Sequence, residues 1–240
     1  MQLLRRILTI LVALAAALAV VLLAGKMLRP SAELRSIRVY CGNSMRPAVE
    51  EIAAEYQKRE GVFVELTYGG SEALFPQIKL SKQGDIFVCH DPFADKLDAE
   101  GLLGRTETVG YLEPTILVLK GNPKGIGSLK DVATKKVRVG TTDPRYATCG
   151  EMVEEKLREH GWAKSYADHP NFVLQSRSHG DVATALLAGQ LDAAIVWNFI
   201  SEQFKEKADR IPTGEQFSDT RVTVCALSCS QGGEATDRFL

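Results

Sequence analysis

At 240 residues, 45% hydrophobic and 25% charged, the chain has the bulk of a globular protein of one large or two small domains. Its 29 Lys and Arg nearly balance 30 Asp and Glu, for a formal net charge of -1, and they form no basic block. That composition argues against a nucleic-acid binder and leaves any anion selectivity to a local site rather than a global field.

The first element in chain order is the apolar run "ILTILVALAAALAVVLLA" at 7–24, preceded by Arg5 and Arg6 and followed by Lys26 and Arg29. This is an export signal, and its length approaches a membrane span. No clean small-x-small cleavage site ends it before Lys26, so residues 1–32 are expected to be a signal peptide or an N-terminal anchor. No Cys stands just after it to carry a lipid. An extracytoplasmic protein, cleaved or tethered, is the expectation, with the folded part starting near Glu33.

From Ser36 strands and helices alternate. "SIRVYC" reads as a strand, and 47–60 as a helix whose Val49, Ile52, Ala53 and Tyr56 form an apolar stripe. Pro47 suits the first turn of that helix and Gly61 its end. "VFVELTY" is a second strand, a helix follows from Ser71, and "DIFVC" is a third strand. Pro76 falls inside the Ser71 helix, where a lost donor and a steric clash predict a kink or a short first segment. Strands separated by helices imply parallel pairing with right-handed crossovers.

After "YLEPTILVLKGNPKG" the pattern repeats: strand "KVRVG", loop "TTDPRYATCG", a helix over 151–160, strand "NFVLQS", loop "RSHGD", helix "VATALLAG" and strand "AAIVW". The extended segments 115–119 and 222–227 bracket this second α/β unit, which predicts two chain crossings and therefore a hinge. The expected division is lobe I over 33–118, lobe II over 119–221, and a return to lobe I over 222–240.

Five cysteines, Cys41, Cys89, Cys149, Cys225 and Cys229, lie in a disulfide-permissive compartment, and their odd number leaves at least one unpaired. Their spacing is not a zinc signature. Cys41 and Cys89 each close a strand, so a bridge between them is conceivable if those strands are parallel neighbours, although a buried thiol is the commoner state.

The strand-to-helix junctions carry the functional argument. Ser44 stands in "CGNSMRP", Ser71 in "TYGGSEAL", Cys149 and Gly150 in "DPRYATCGEM", and Asp181 and Val182 in "HGDVATAL". Each lies at the carboxyl end of a strand, where open α/β sheets bind ligands. A helix start offers free N–H groups and the positive end of the helix dipole, so it holds an anion without a cationic side chain. For Ser71 the competing explanation is that it only caps its own helix. Two junctions from each lobe predict a neutral donor cage around a fully ionised oxyanion. Trp197, which ends "AIVW", can add an indole N–H or can simply be core.

The order "GNS", "GGSEAL..QI", "GDIFV", "DPRYATCG" and "GDVATALLAGQLDAAIVW" resembles the periplasmic molybdate-binding proteins of ABC transporters, from about Ser36 to Leu240. The resemblance implies the two-lobed type II periplasmic-binding-protein fold and a non-enzymatic, monomeric receptor with no cofactor. Its ligand would be molybdate or tungstate, an oxyanion of molybdenum or tungsten, and its partner a membrane permease. Carried over by motif, the hydroxyls of Ser44 and Ser71 and the backbone donors of Cys149 and Val182 would hold that ligand, with Trp197 beside them. The family often has a small residue where this chain has Cys149 and a tyrosine where it has Trp197. The segment "GGEATDRFL" resembles the opening of the family's last helix, whose remainder is expected beyond Leu240.

Two alternatives stand. Sulfate or another small anion suits the same fold, with phosphate least favoured because a protonated ligand calls for an acceptor and only Asp181 lies near the loops. A thiol or metal-binding protein using Cys89, His90 and Asp91 in "VCHDP" is the other. Neighbouring residues on a strand point to opposite faces, which sets Cys89 and His90 apart.

Overall fold

The computed structural model describes residues 36–240. The apolar run at 7–24 and the expected signal or anchor lie outside the described residues. Among the described residues, no helix is long and apolar enough to cross a membrane.

The first sheet holds β1 (Ser36–Gly42), β2 (Phe63–Gly69), β3 (Ile86–His90), β4 (Leu103–Leu112) and β10 (Thr220–Leu227), in the order β2-β1-β3-β10-β4. β1 pairs in parallel with β2 and β3, while β10 runs antiparallel to β3 and β4. The second sheet holds β5 (Pro114–Leu119), β6 (Val139–Thr142), β7 (Phe172–Ser176), β8 (Ala193–Trp197) and β9 (Ala208–Pro212), in the order β7-β6-β8-β5-β9. Two such sheets with covering helices are the two-lobed architecture expected from the alternating pattern.

The chain crosses between lobes twice, at Glu113 between β4 and β5 and again between β9 and β10. The first crossing comes earlier than the 118/119 division read from sequence. The apolar run 115–119 is the strand β5 itself, antiparallel to β8 and β9, and so belongs wholly to the second lobe. Asn198 ties this crossing to lobe II: its backbone N–H donates to the Glu113 carbonyl at 2.9 Å and its amide donates to the Tyr111 carbonyl at 3.3 Å.

Helix α1 (Arg46–Glu60) follows a 3-10 turn at Asn43–Met45, and Gly61, at φ 65°, closes it in the left-handed conformation. Val49, Ala53 and Tyr56 of the predicted stripe are buried, but Ile52 is 52% exposed. Ile52 sits a turn from Tyr56 and yet outside the buried face of the helix.

Helix α2 (Ser71–Ser81) runs unbroken through Pro76, without the expected short first segment. Pro76 removes a single intrahelical donor there, and Leu74 and Ile78 on either side are buried and hold the helix to the sheet. The remaining helices are α3 (Phe93–Ala99), α4 (Leu129–Thr134), α5 (Thr148–Glu159), α6 (His179–Leu187), α7 (Asn198–Gln203) and α8 (Glu234–Phe239).

Parity along the strands decides the cysteines. Cys41 lies opposite Val88 on β3, so Cys89 points to the other face of the sheet. Cys41 is buried with Ile37, Val39 and Val88, whereas Cys89 is buried with Phe87, Leu97 and Cys225. The conceivable Cys41–Cys89 bridge is thereby excluded, and all five cysteines are free thiols.

Candidate functional site

A cavity of about 380 Å³ opens between the lobes at the carboxyl ends of the strands. Lobe I contributes Gly42, Asn43 and Ser44 after β1, Gly70, Ser71 and Glu72 at the start of α2, and His90 at the end of β3. Lobe II contributes Ala147 and Thr148 at the start of α5, Ser178, His179 and Gly180 at the start of α6, and Trp197 at the end of β8. The starts of three helices of nine or more residues therefore face one small space. Their free N–H groups and aligned dipoles favour negative charge there.

Ser71 is the informative side chain. The residue that caps α2 is Gly70, no side chain bonds to the first turn, and Ser71 is the first helical residue. Its hydroxyl is buried and has no hydrogen-bond partner. Capping therefore does not explain this serine, and a buried hydroxyl left unpaired carries a free-energy cost. Gly42 lets it sit there, since a Cβ on Gly42 would lie 3.3 Å from Ser71 Oγ and 2.5 Å from Met45 Cε.

Of the residues expected from sequence, Ser44, Ser71 and Trp197 line the cavity, and Cys149 and Val182 do not. Helix α6 begins at His179, three residues before Val182, so the Val182 N–H donates to the Ser178 carbonyl at 3.3 Å inside the helix. Its place at the cavity is taken by Ser178, His179 and Gly180. Cys149 is wholly buried behind the start of α5, next to Gly150, which packs so tightly on β6 that a Cβ would meet the Thr142 carbonyl at 2.1 Å. Burial pushes the Cys149 thiol far above its ordinary pKa. Ala147 and Thr148 reach the cavity in its stead.

The lining is also less neutral than the cage expected from sequence. Arg46, Arg177, Glu72, His90 and His179 all border it. Arg46 pairs with Glu50 at 2.9 Å and lies over the Tyr68 ring, and Arg177 lies over the Tyr146 ring at 3.8 Å. These contacts order guanidinium groups that are always charged.

Trp197 is 1% exposed and sits between two imidazoles, with His90 at 6.0 Å and His179 at 5.9 Å between ring centroids. Burial foremost, and the neighbouring His90 second, lower the His179 pKa to about 3 and keep that ring neutral. Neither histidine is among the residues expected at an oxyanion site. "RSHGD" reads as a loop, and nothing local in it tells that its His starts a helix facing Trp197. Cys89 and His90 do point apart, the thiol into the lobe I core and the imidazole into the cavity.

A family model for "Bacterial extracellular solute-binding protein" matches residues 37–240, which takes in both lobes and the cavity between them. The chain belongs to this family. A Haemophilus influenzae protein described as a binding protein is 24% identical to this solute-binding protein over 202 residues, 84% of this chain and 82% of its own. The periplasmic molybdate-binding protein of Azotobacter vinelandii matches in structure with a TM-score of 0.67 at 18% identity, covering 85% of this chain and 90% of that one. Iron-bound HitA from Pseudomonas aeruginosa matches with a TM-score of 0.68 at 18% identity, covering 85% and 79%. One fold thus carries an oxyanion in one neighbour and iron in another, so the ligand of this solute-binding protein has to be argued from its own cavity.

Proposed function

We propose that the protein captures a small oxyanion, molybdate or tungstate, between its lobes and delivers it to the permease of an ABC importer. The observation that carries this reading is the buried, unpartnered hydroxyl of Ser71 at the mouth of a helix that it does not cap. A ligand oxygen is the partner that hydroxyl lacks. Three helix starts and the guanidinium groups of Arg46 and Arg177 add donors and positive potential around the same space. Ser44 supplies a second hydroxyl, Trp197 forms a wall, and binding rather than chemistry is the outcome.

The two arginines attract any small anion, so sulfate is the competing ligand, separated from molybdate by fit to the cavity. Nothing favours a thiol or metal role for Cys89, which faces away from the cavity and into the lobe I core. Among the described residues, no three His, Cys, Asp or Glu side chains come together in a way that holds a metal ion.

Thermal unfolding with molybdate, tungstate, sulfate and phosphate tests the proposal. A ligand present at a hundredfold excess over its Kd adds about 2.7 kcal/mol of stability. For a chain of this size that is a rise in Tm of about 5 to 10 °C. The rise is expected with molybdate and tungstate, and none with any of the four would count against the oxyanion role.

A further inference from the structure

His90 is fixed in one tautomer. Its Nδ1 lies 2.7 Å from the backbone carbonyl oxygen of Asp91, and a carbonyl only accepts, so Nδ1 carries the hydrogen and donates. In the neutral ring the lone pair is then on Nε2, and because the ring lines the cavity and Nδ1 is already taken, Nε2 is the nitrogen left to bond a ligand. The edge of Phe93 at 5.5 Å and Trp197 at 6.0 Å hold the ring in place.

A fully ionised oxyanion presents only lone pairs, and two lone pairs face to face repel. We propose that oxyanion capture by this site is linked to one proton, shared between a ligand oxygen and His90 Nε2. The inference rests on the oxyanion reading and deepens it. Molybdate, tungstate and sulfate have to draw that proton from solvent, leaving His90 as an imidazolium that donates to the anion. A hydrogen-bearing oxyanion such as hydrogen phosphate brings its own and donates to the neutral ring. His90 thereby sets how ligands of the two kinds compete as pH changes.

The other ionisable groups near His90 do not take its place. The Asp91 carboxylate is held by Arg221 through contacts of 3.0 Å, and Asp95 faces the same guanidinium at 3.7 Å. Across the cavity, His179 is kept neutral by burial, and Arg46 and Arg177 are permanently charged. Glu72 accepts from Thr148 on the opposite lobe. Cys89 lies on the other face of β3.

The test is calorimetric titration of the full chain with molybdate between about pH 6 and about pH 8.5, in buffers of different ionisation enthalpy. The expected result is about one proton taken up per molybdate at the alkaline end, with affinity falling about tenfold per pH unit there. In His90→Gln, shown folded by its melting curve, proton uptake and slope should both vanish. If that variant does not fold, the buffer dependence of the wild-type chain decides alone. Molybdate binding with flat affinity and buffer-independent heat overturns the inference and leaves the oxyanion reading intact, as does a folded His90→Gln that keeps the slope. No heat from molybdate, sulfate or phosphate at any pH overturns both.

Discussion

The Glu72 carboxylate of lobe I accepts hydrogen bonds from the backbone N–H of Thr148 at 3.4 Å and from its hydroxyl at 3.3 Å, joining the lobes across the mouth of the cavity. A carboxylate at the start of α5 satisfies that helix much as an external anion would, and it adds negative charge beside the proposed ligand. Glu72→Gln keeps an acceptor oxygen for Thr148 and removes the charge. Oxyanion affinity should rise by on the order of 1 kcal/mol, most at low salt. Titrations at two ionic strengths check this, and weaker binding in Glu72→Gln would show that the cross-lobe bond matters more than the charge.

Ser71→Ala removes the unpartnered hydroxyl without touching a cap. Stability of the free protein should therefore hold or rise slightly. Oxyanion binding should weaken by about 1.5 to 3 kcal/mol, the range for a hydrogen bond to a charged group. Melting and binding curves on the same variant separate the two effects, and an unchanged affinity would return Ser71 to a purely structural role.

Gly150→Ala asks for a methyl group where the Thr142 carbonyl stands 2.1 Å away. Since a backbone atom cannot swing aside, α5 has to move off β6. A loss of about 1 to 3 kcal/mol in stability is expected, with weaker ligand binding because Thr148 moves with the helix. Denaturant unfolding measures the first and titration the second.

His179 gives the fold a pH dependence of known sign. Its pKa is lowered to about 3 in the folded protein by burial and by His90, whereas an unfolded histidine titrates near 6.5. Between these values the unfolded chain binds the extra proton. Stability is therefore complete above about pH 6.5 and falls on acidification, by up to about 1.4 kcal/mol per pH unit. Unfolding free energies from about pH 7 down to about pH 4 should show this slope, and His179→Gln should reduce it.

Much of this arrangement was legible in the sequence, and the residues show why the rest was not. Gly69, Gly70 and Ser71 after an apolar strand announced a strand-turn-helix junction, and that local signal survives folding because turn and helix chemistry are themselves local. Val182 missed the cavity because helix starts read from pattern carry errors of a few residues, and on a helix three residues turn a donor from the ligand into the helix's own ladder, whereas Cys149, the second residue of α5, buries its side chain in the core. Ile52 was apolar at the right spacing but met no partner, since periodicity tells which residues share a face and not how far the opposing sheet extends. Glu72, His90 and the pair Arg177 and His179 come from three separate segments, and only the packing of two lobes brings them to one cavity.

The central claim, that a small oxyanion is held between the lobes at Ser71, is tested most directly by isothermal calorimetry of the protein with molybdate, tungstate, sulfate and phosphate, alongside Ser71→Ala. The account predicts one site, occupied by molybdate and tungstate and weakened by about 10- to 100-fold in the variant. No heat from any of the four with the protein shown folded, or equally tight binding in Ser71→Ala, would contradict it.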